Sequence, residues 1–178
     1  MSITEQSSTI PAGTWQADTV HSSVAFEVPY AVATFSGTVR DFEAVLADGR
    51  LTGVARIGSI DIKDENLEAH LLSPEFFDAE RNPDVRFTTD AIHRDGENVE
   101  VEGKITIKGI TKPATLRGTI VGPAVDHFGS ERVGLSLETT VDRTDFDMNW
   151  NMPLPNGDPA LANDVTLKAD LTLVSRES

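Results

Sequence analysis

The chain has 178 residues, with 29 acidic and 15 basic side chains and a formal charge of −14. This excess of acid argues against nucleic acid, and against an anionic lipid surface, as a partner, because both are bound through lysine and arginine. The absence of cysteine excludes disulfides, thiolate catalysis and Cys-ligated metal sites.

The N-terminal residues 1–13 are rich in Ser and Thr and show no periodicity, so we expect a flexible arm there. A single domain is expected over residues 14–178. The arm has neither the basic nor the apolar stretch of a signal peptide, which favours a cytoplasmic location. The chain has no run of 18 apolar residues, so no stable membrane insertion is expected.

Alternation of apolar and polar residues dominates after Trp15 and predicts β-strands. Such runs occur at residues 24–28, 51–57, 85–91, 99–107, 116–120, 133–141 and 165–173. Turn signals stand between them at Asp48-Gly49, Asp95-Gly96, Gly122-Pro123, Gly129-Ser130 and Asn156-Gly157. Strands with one apolar face and short connections predict an antiparallel sandwich or barrel.

Residues 64–80 break the strand period and show a helical one. Leu67, His70 and Leu71 fall at positions i, i+3 and i+4 of one helical face. The Ser-Pro pair at residues 73–74 is typical of a helix start and indicates a second short helix. We therefore expect one or two short helices between strands, covering the end or side of the β structure.

A second apolar alternation follows, in Phe146, Met148, Trp150, Met152 and Leu154, and predicts one more strand. Its apolar face has two interpretations. It is either ordinary core, or a wall that adapts to a flexible apolar ligand, because methionine side chains deform easily.

Two internal motifs resemble the YceI-like family. They read HLLSPEFFD at residues 70–78, followed by Asn82-Pro83 and Phe87, and GKITIKGITKP at residues 103–113. Further likeness lies at the first strand, around Trp15 and His21, and near the end, around Arg143 and Asn163-Asp164. In all, the likeness covers roughly residues 14–174.

This resemblance implies an extended eight-stranded antiparallel β-barrel, similar to lipocalins, with a helix near one end. It also implies that the interior holds a long polyisoprenoid, either an isoprenoid quinone or a prenyl alcohol or pyrophosphate. Homodimers are compatible with the family.

The chain departs from the family pattern at three places. Leu67 and Glu68 stand where members often carry an Arg-Asp pair before the helix histidine. Tyr30 stands where a histidine commonly follows the first full strand, and Asp147 stands where a glycine usually follows the Asp-Phe pair. The first two departures fall at the end implied for the ligand head group.

With the barrel implied by the resemblance, we predict an apolar lining for the ligand tail, formed by Phe26, Val28, Phe76, Phe77, Phe87, Ile105, Ile107, Leu135, Leu137, Met148, Trp150 and Met152. Tyr30, His70 and Arg143 are predicted to contact the head group. Small residues that would leave an open bore, if they face inward, are Ala55, Gly103, Gly118, Thr139 and Ala169.

Local motifs for chemistry are missing: the chain has no Gly-x-Ser-x-Gly elbow, no phosphate loop and no histidine pair at metal-ligand spacing. We therefore expect no catalytic residue, cofactor or metal. The resemblance to the YceI-like family implies instead a function in binding, storing or transporting a polyisoprenoid lipid. One alternative is an enzyme acting on an isoprenoid-type substrate, with His70 or Tyr30 as acid or base. Another is a stress-related interaction module with a filled core.

Overall fold

The computed structural model describes residues 10–176, so most of the expected N-terminal arm lies outside the described residues. These residues form mainly β-structure, with one α-helix, α1 (Glu65–Leu72), and 3-10 turns at Ile57–Ser59 and Arg143–Phe146. The strands are β1 (Thr14–Ala17), β2 (Ser23–Tyr30), β3 (Ala33–Val39), β4 (Phe42–Ala47), β5 (Arg50–Arg56), β6 (Ile60–Asp61), β7 (Asp84–Asp95), β8 (Asn98–Ile107), β9 (Ile110–Val125), β10 (Glu131–Asp142) and β11 (Asp164–Ser175).

All strand pairs are antiparallel, and together they close a barrel. The eight-strand ring runs β1-β4-β5-β7-β8-β9-β10-β11, and it closes because β1 pairs with both β4 and β11. β2 pairs with residues 166–170 of β11, which precede the residues paired with β1, and β3 and β6 come next to β2 in the sheet. The prediction of an antiparallel barrel is confirmed, and a two-sheet sandwich is excluded by the closing pairs.

Two-residue turns set the register of several hairpins. Asp48 and Gly49 join β4 to β5 with φ angles of 53° and 75°, the conformation that hairpin turns of this length require. The β7–β8 hairpin turns at Gly96, as predicted. The prediction of a turn at Gly122-Pro123 is wrong, because both residues lie inside β9, beside a register shift in the pairing with β10. A strand tolerates glycine and proline at such an irregularity.

The helix α1 begins after Asp64, whose carboxylate accepts hydrogen bonds from the backbone N–H groups of Asn66 and Leu67. It ends at Ser73, whose backbone N–H and hydroxyl both donate to the carbonyl of His70. The second predicted helix is therefore absent, because Ser73 ends α1 instead of capping a new helix. Residues 74–77 form turns instead.

The predicted strand at residues 146–154 is also wrong. The 3-10 turn ends at Asp147, which has a left-handed φ of 59°, and the chain is irregular from there to β11 apart from isolated bridges. Prolines at positions 153, 155 and 159 remove backbone donors that a ladder would need. The alternating apolar residues are separate anchors of a loop, so the segment buries Phe146 and Met148 but exposes Met152.

The two ends of the barrel differ. At the end near the β9–β10 turn, large side chains fill the interior, and we call this the closed end. Its defining residues are at most 4% exposed: Trp15, Leu46, Ile120, Val133 and Leu173. At the other end the interior is bordered by the β2–β3 turn and α1, and it is covered by residues 73–77 and residues 147–162. We call that the open end.

Candidate ligand-binding cavity

The barrel interior contains a cavity of about 490 Å³ between the closed end and the open end. Its wall consists almost entirely of aliphatic and aromatic side chains. Sites for small ligands commonly have about 300–1,000 Å³.

Small side chains explain part of this space. Ala55, Thr139 and Ala169 border the cavity, as the sequence predicted for an open bore. Gly103 and Gly118 do not border it. A β-carbon at Gly103 would overlap the backbone of β7, and one at Gly118 would overlap the backbone of β10. These two glycines therefore permit neighbouring strands to approach closely, and they leave no free volume.

The predicted apolar lining borders the cavity except at two residues. Leu135 is buried but lies nearer the closed end, where it is paired with Ile120. Met152 is 53% exposed, because its segment is a loop and not a strand. The structure thus removes both residues from the predicted lining.

Several wall residues were not predicted as lining. They come from β2–β6, the 3-10 turn at Ile57–Ser59, α1, the segment before β11 and β11 itself: Val24, Phe35, Phe42, Leu51, Ile57, Ile60, Leu71, Leu161, Val165 and Leu167. Val165 and Leu167 belong to an alternating run, so the period of 2 could have predicted that their side chains face the interior. Leu161 had no such signal, because it lies in an irregular segment.

His70 lies in a cluster of aromatic rings at the cavity wall. Its ring meets those of Phe76 and Trp150 edge-on, with centroid distances of 4.9 and 4.6 Å. The Nε2 atom lies 3.6 Å from the Glu75 carboxylate, which is itself more than half exposed. The histidine that α1 places here is therefore mainly part of the wall, with one polar edge toward the open end.

Arg143 is buried at 3% exposure and borders the cavity. Its guanidinium donates to the backbone carbonyls of residues 148, 150, 161 and 162, at 2.6, 2.8, 3.3 and 2.8 Å. No carboxylate of the described residues forms an ion pair with it, and burial lowers the pKa of this guanidinium. Arg143 therefore fastens residues 147–162 over the open end, and four of its five N–H groups are used in doing so.

Tyr30 stands at an opening of the cavity. It is 40% exposed, and its backbone forms a bridge with Leu161. Ala33, Thr34 and Leu67 also border the cavity and are exposed. The turn between β2 and β3 and the first turn of α1 thus mark the place where the bore reaches solvent.

A lysine connects the two segments that cover the open end. Lys108, in the β8–β9 turn, donates through Nζ to the carbonyl of Pro74 at 2.7 Å and to that of Asp147 at 2.8 Å. Residues 73–77 and residues 147–162 are therefore held to the same hairpin. The cover of the cavity depends on hydrogen bonds to irregular backbone.

Across residues 10–176, no three His, Asp or Glu side chains come together in a way that could hold a metal ion. In the same stretch, no helix combines the length and the apolar character needed to cross a membrane.

The closed antiparallel barrel with an apolar bore that opens at one end belongs to the class of β-barrels that enclose an internal cavity. Comparison with known families identifies it further. The model of the YceI-like domain matches residues 15–173, so the chain belongs to the YceI-like family. This confirms the resemblance that the sequence motifs indicated.

Curated relatives agree with this assignment. Protein YceI of Escherichia coli is 25% identical over 140 residues, which cover 74% of this chain and 73% of that protein. A UPF0312 protein of Photorhabdus laumondii is 26% identical over the same shares.

Solved structures show the same fold. The YCEI protein of Campylobacter jejuni has a TM-score of 0.72 and 25% identity, covering 82% of this chain and 88% of its own. A polyisoprenoid binding domain from Saccharophagus degradans has a TM-score of 0.69 and 10% identity, covering 93% of this chain and 99% of its own.

Proposed function

We propose that this protein binds one long-chain polyisoprenoid lipid in its cavity and stores or transports it without changing it chemically. The observation that carries the proposal is the unfilled apolar bore of about 490 Å³, which reaches solvent at Tyr30 and Leu67. A module whose barrel serves only as a scaffold has no need of this space. The interaction module with a filled core is therefore not favoured.

The shape and chemistry of the wall support a polyisoprenoid. A tail with branching methyl groups fits a wall of aliphatic and aromatic side chains and needs no hydrogen bonds. The Saccharophagus degradans domain, described as binding a polyisoprenoid, has the same fold. An isoprenoid quinone and a prenyl alcohol or pyrophosphate share this tail and differ in their head groups.

Energetics favour exchange with membranes over permanent capture. Burial of each CH₂ group contributes roughly 0.8 kcal/mol, so about ten buried carbons would already give on the order of 8 kcal/mol, before the cost of ordering the tail is subtracted. Relative to a bilayer, which is also apolar, most of this gain cancels. The head group then decides selectivity, and we assign to it Tyr30, the polar edge of His70 and the fifth N–H group of Arg143, which the cover does not use.

The enzyme alternative would need His70 or Tyr30 to transfer a proton. The packing of His70 against two aromatic rings favours a role in the cavity wall. The 3.6 Å between its Nε2 atom and the Glu75 carboxylate is too long for a hydrogen bond that would orient the ring as an acid or base. Lipid that is recovered chemically changed would support the enzyme.

The test is organic extraction and native mass spectrometry of the protein purified from more than one host. We expect a prenyl lipid with unchanged chemistry. Ala169→Phe, which fills the bore from β11, should lower the lipid content at least tenfold while the protein stays folded. Ala124→Phe, on the exposed face of β9, is the matched control and should leave the content unchanged.

The proposal fails if only bare polypeptide is found and an added prenyl lipid does not bind. It also fails if Ala169→Phe and Ala124→Phe carry as much lipid as the natural sequence, since the ligand would then lie outside the bore.

A further inference from the structure

Two segments at the open end contain no charged residue. Residues 28–38 span the β2–β3 turn, and residues 148–157 lie in the cover of the cavity; neither segment contains Asp, Glu, Lys, Arg or His. One quarter of the whole chain is Asp, Glu, Lys or Arg. Some five charged residues would be expected in 21 residues at that average. Their absence from both segments singles out this face of the molecule.

Backbone hydrogen bonds join the two segments through residues 160–162, which follow the exposed Asp158. The N–H of Ala31 donates to the carbonyl of Ala160 at 2.8 Å, and the N–H of Ala162 donates to the carbonyl of Pro29 at 3.0 Å. The N–H of Ala160 donates to the carbonyl of Met152 at 2.9 Å. The turn that carries Tyr30 and Val32 is thus tied to the loop that carries Met152.

Large apolar side chains on this surface, and Leu67 in α1, are exposed to solvent. Val32, at the tip of the β2–β3 turn, is fully exposed, Met152 is 53% exposed, and Tyr30 and Leu67 are 40% and 37% exposed. We call these four residues the apolar rim. Two of them, Tyr30 and Leu67, also border the cavity. The rim is therefore continuous with the apolar bore.

We propose that the apolar rim docks on the surface of a phospholipid bilayer with the opening of the cavity facing the membrane; this rests on the proposed function. A prenyl tail that leaves the bore through water loses the free energy of its burial. A rim in contact with the acyl region gives the tail a continuous apolar path. Continuity of the rim with the bore thus favours a bilayer over a protein partner.

The negative charge of the protein determines to which kind of bilayer it can bind. Asp64 and Glu65, at the start of α1, are exposed beside Leu67, and the whole chain carries a charge of −14. Anionic head groups would be repelled by this field. The rim therefore fits an uncharged, zwitterionic surface, and docking should weaken when anionic lipid is added. Binding driven by basic patches has the opposite dependence.

The experiment is flotation of the full chain with vesicles of phosphatidylcholine, and with vesicles that contain one quarter phosphatidylglycerol. Val32→Asp should weaken binding to phosphatidylcholine about tenfold, since a charge replaces a fully exposed apolar contact. Val20→Asp is the matched control, because Val20 is 83% exposed in the β1–β2 connection, away from the opening. It should change binding less than twofold, and the anionic vesicles should bind the natural sequence more weakly.

Extraction of the same samples separates this proposal from the proposed function. A protein that carries its prenyl lipid but floats with no vesicle overturns docking and leaves the function standing. Equal losses from Val32→Asp and Val20→Asp overturn the rim, as does tighter binding to the anionic vesicles. If Val32→Asp converts a dimer to a monomer by sedimentation and leaves flotation unchanged, the rim is a contact between two copies and docking is overturned.

Discussion

The closed end and the open end of this barrel are stabilised by different interactions. At the closed end, Trp15, Val133 and Leu173 are at most 4% exposed and interlock across paired strands. At the open end, Arg143 and Lys108 hold irregular segments through hydrogen bonds to backbone carbonyls. Apolar packing fixes the barrel, whereas the cover of the cavity depends on a few polar side chains.

Because of this difference, the closed end contributes most of the stability of the fold, whereas the open end contains the candidate binding site. Leu171 and Leu173 lie two residues apart on the inward face of β11, yet only Leu171 borders the cavity. A filled end lets the other end remain hollow without loss of the fold. The hollow end can then be covered by segments that need not pack tightly.

The largest effect should come from shortening a leucine at the closed end. We expect Leu173→Ala to lower the free energy of unfolding by about 4 kcal/mol, because the new cavity is surrounded by packed side chains. Leu171→Ala should cost only about 2 kcal/mol, since part of its surroundings is already void. Urea unfolding of lipid-free protein measures both, and equal losses would contradict the division into two ends.

Removing the anchor of the cover should have the next effect. Arg143→Met keeps the length of the side chain but leaves four carbonyls without their donor, so we expect a loss of about 3 kcal/mol. Amide hydrogen exchange should show the change mainly in residues 147–162.

Arg117→Met is the control for that variant. Within residues 10–176, the Arg117 side chain makes only an exposed ion pair with Glu100, so the substitution should cost less than about 1 kcal/mol. If lipid-free Arg143→Met is as stable as this control, then Arg143 does not hold the cover. A role limited to the ligand head group would explain such a result.

The smallest expected effect is a loss of stability at low pH, which involves the ion pairs of Arg132. The Arg132 guanidinium bonds to Asp126 at 2.5 Å and to Asp18 at 3.0 Å. Together with backbone N–H groups, this guanidinium lowers the pKa of Asp126 to about 2. The pKa of Asp18 is also lowered, mainly by its hydrogen bond to His21 and next by its hydrogen bond to Arg132. A carboxyl whose pKa falls on folding stabilises the fold above its unfolded pKa of 3.8, and this stabilisation is lost as the pH falls through about 2.

An NMR titration from pH 6 to pH 1.5 should place the midpoint of Asp126 near 2 in the natural sequence. In Arg132→Gln it should move upward toward the ordinary value, because the guanidinium is the largest cause of the shift. An unchanged midpoint in this variant would show that Arg132 is not the cause of the lowered pKa of Asp126.

The sequence predicted much of the barrel wall. Alternation placed Phe26 and Val28 in β2 and Phe87 in β7, and all three border the cavity. The motif around His70 predicted both the helix and the family. The same period misled at residues 146–154, since prolines and the bonds of Arg143 make that stretch a loop.

By itself, the sequence determined which faces of the strands are apolar, that the strands are antiparallel, and to which family the chain belongs. Only the tertiary structure decided where the interior is hollow. A period of 2 says that Leu135 and Leu137 share a face, but the space beside each depends on the strands across the barrel. For the same reason, only the tertiary structure shows that Gly103 and Gly118 lie at close contacts between strands, whereas Ala55 and Ala169 border the cavity.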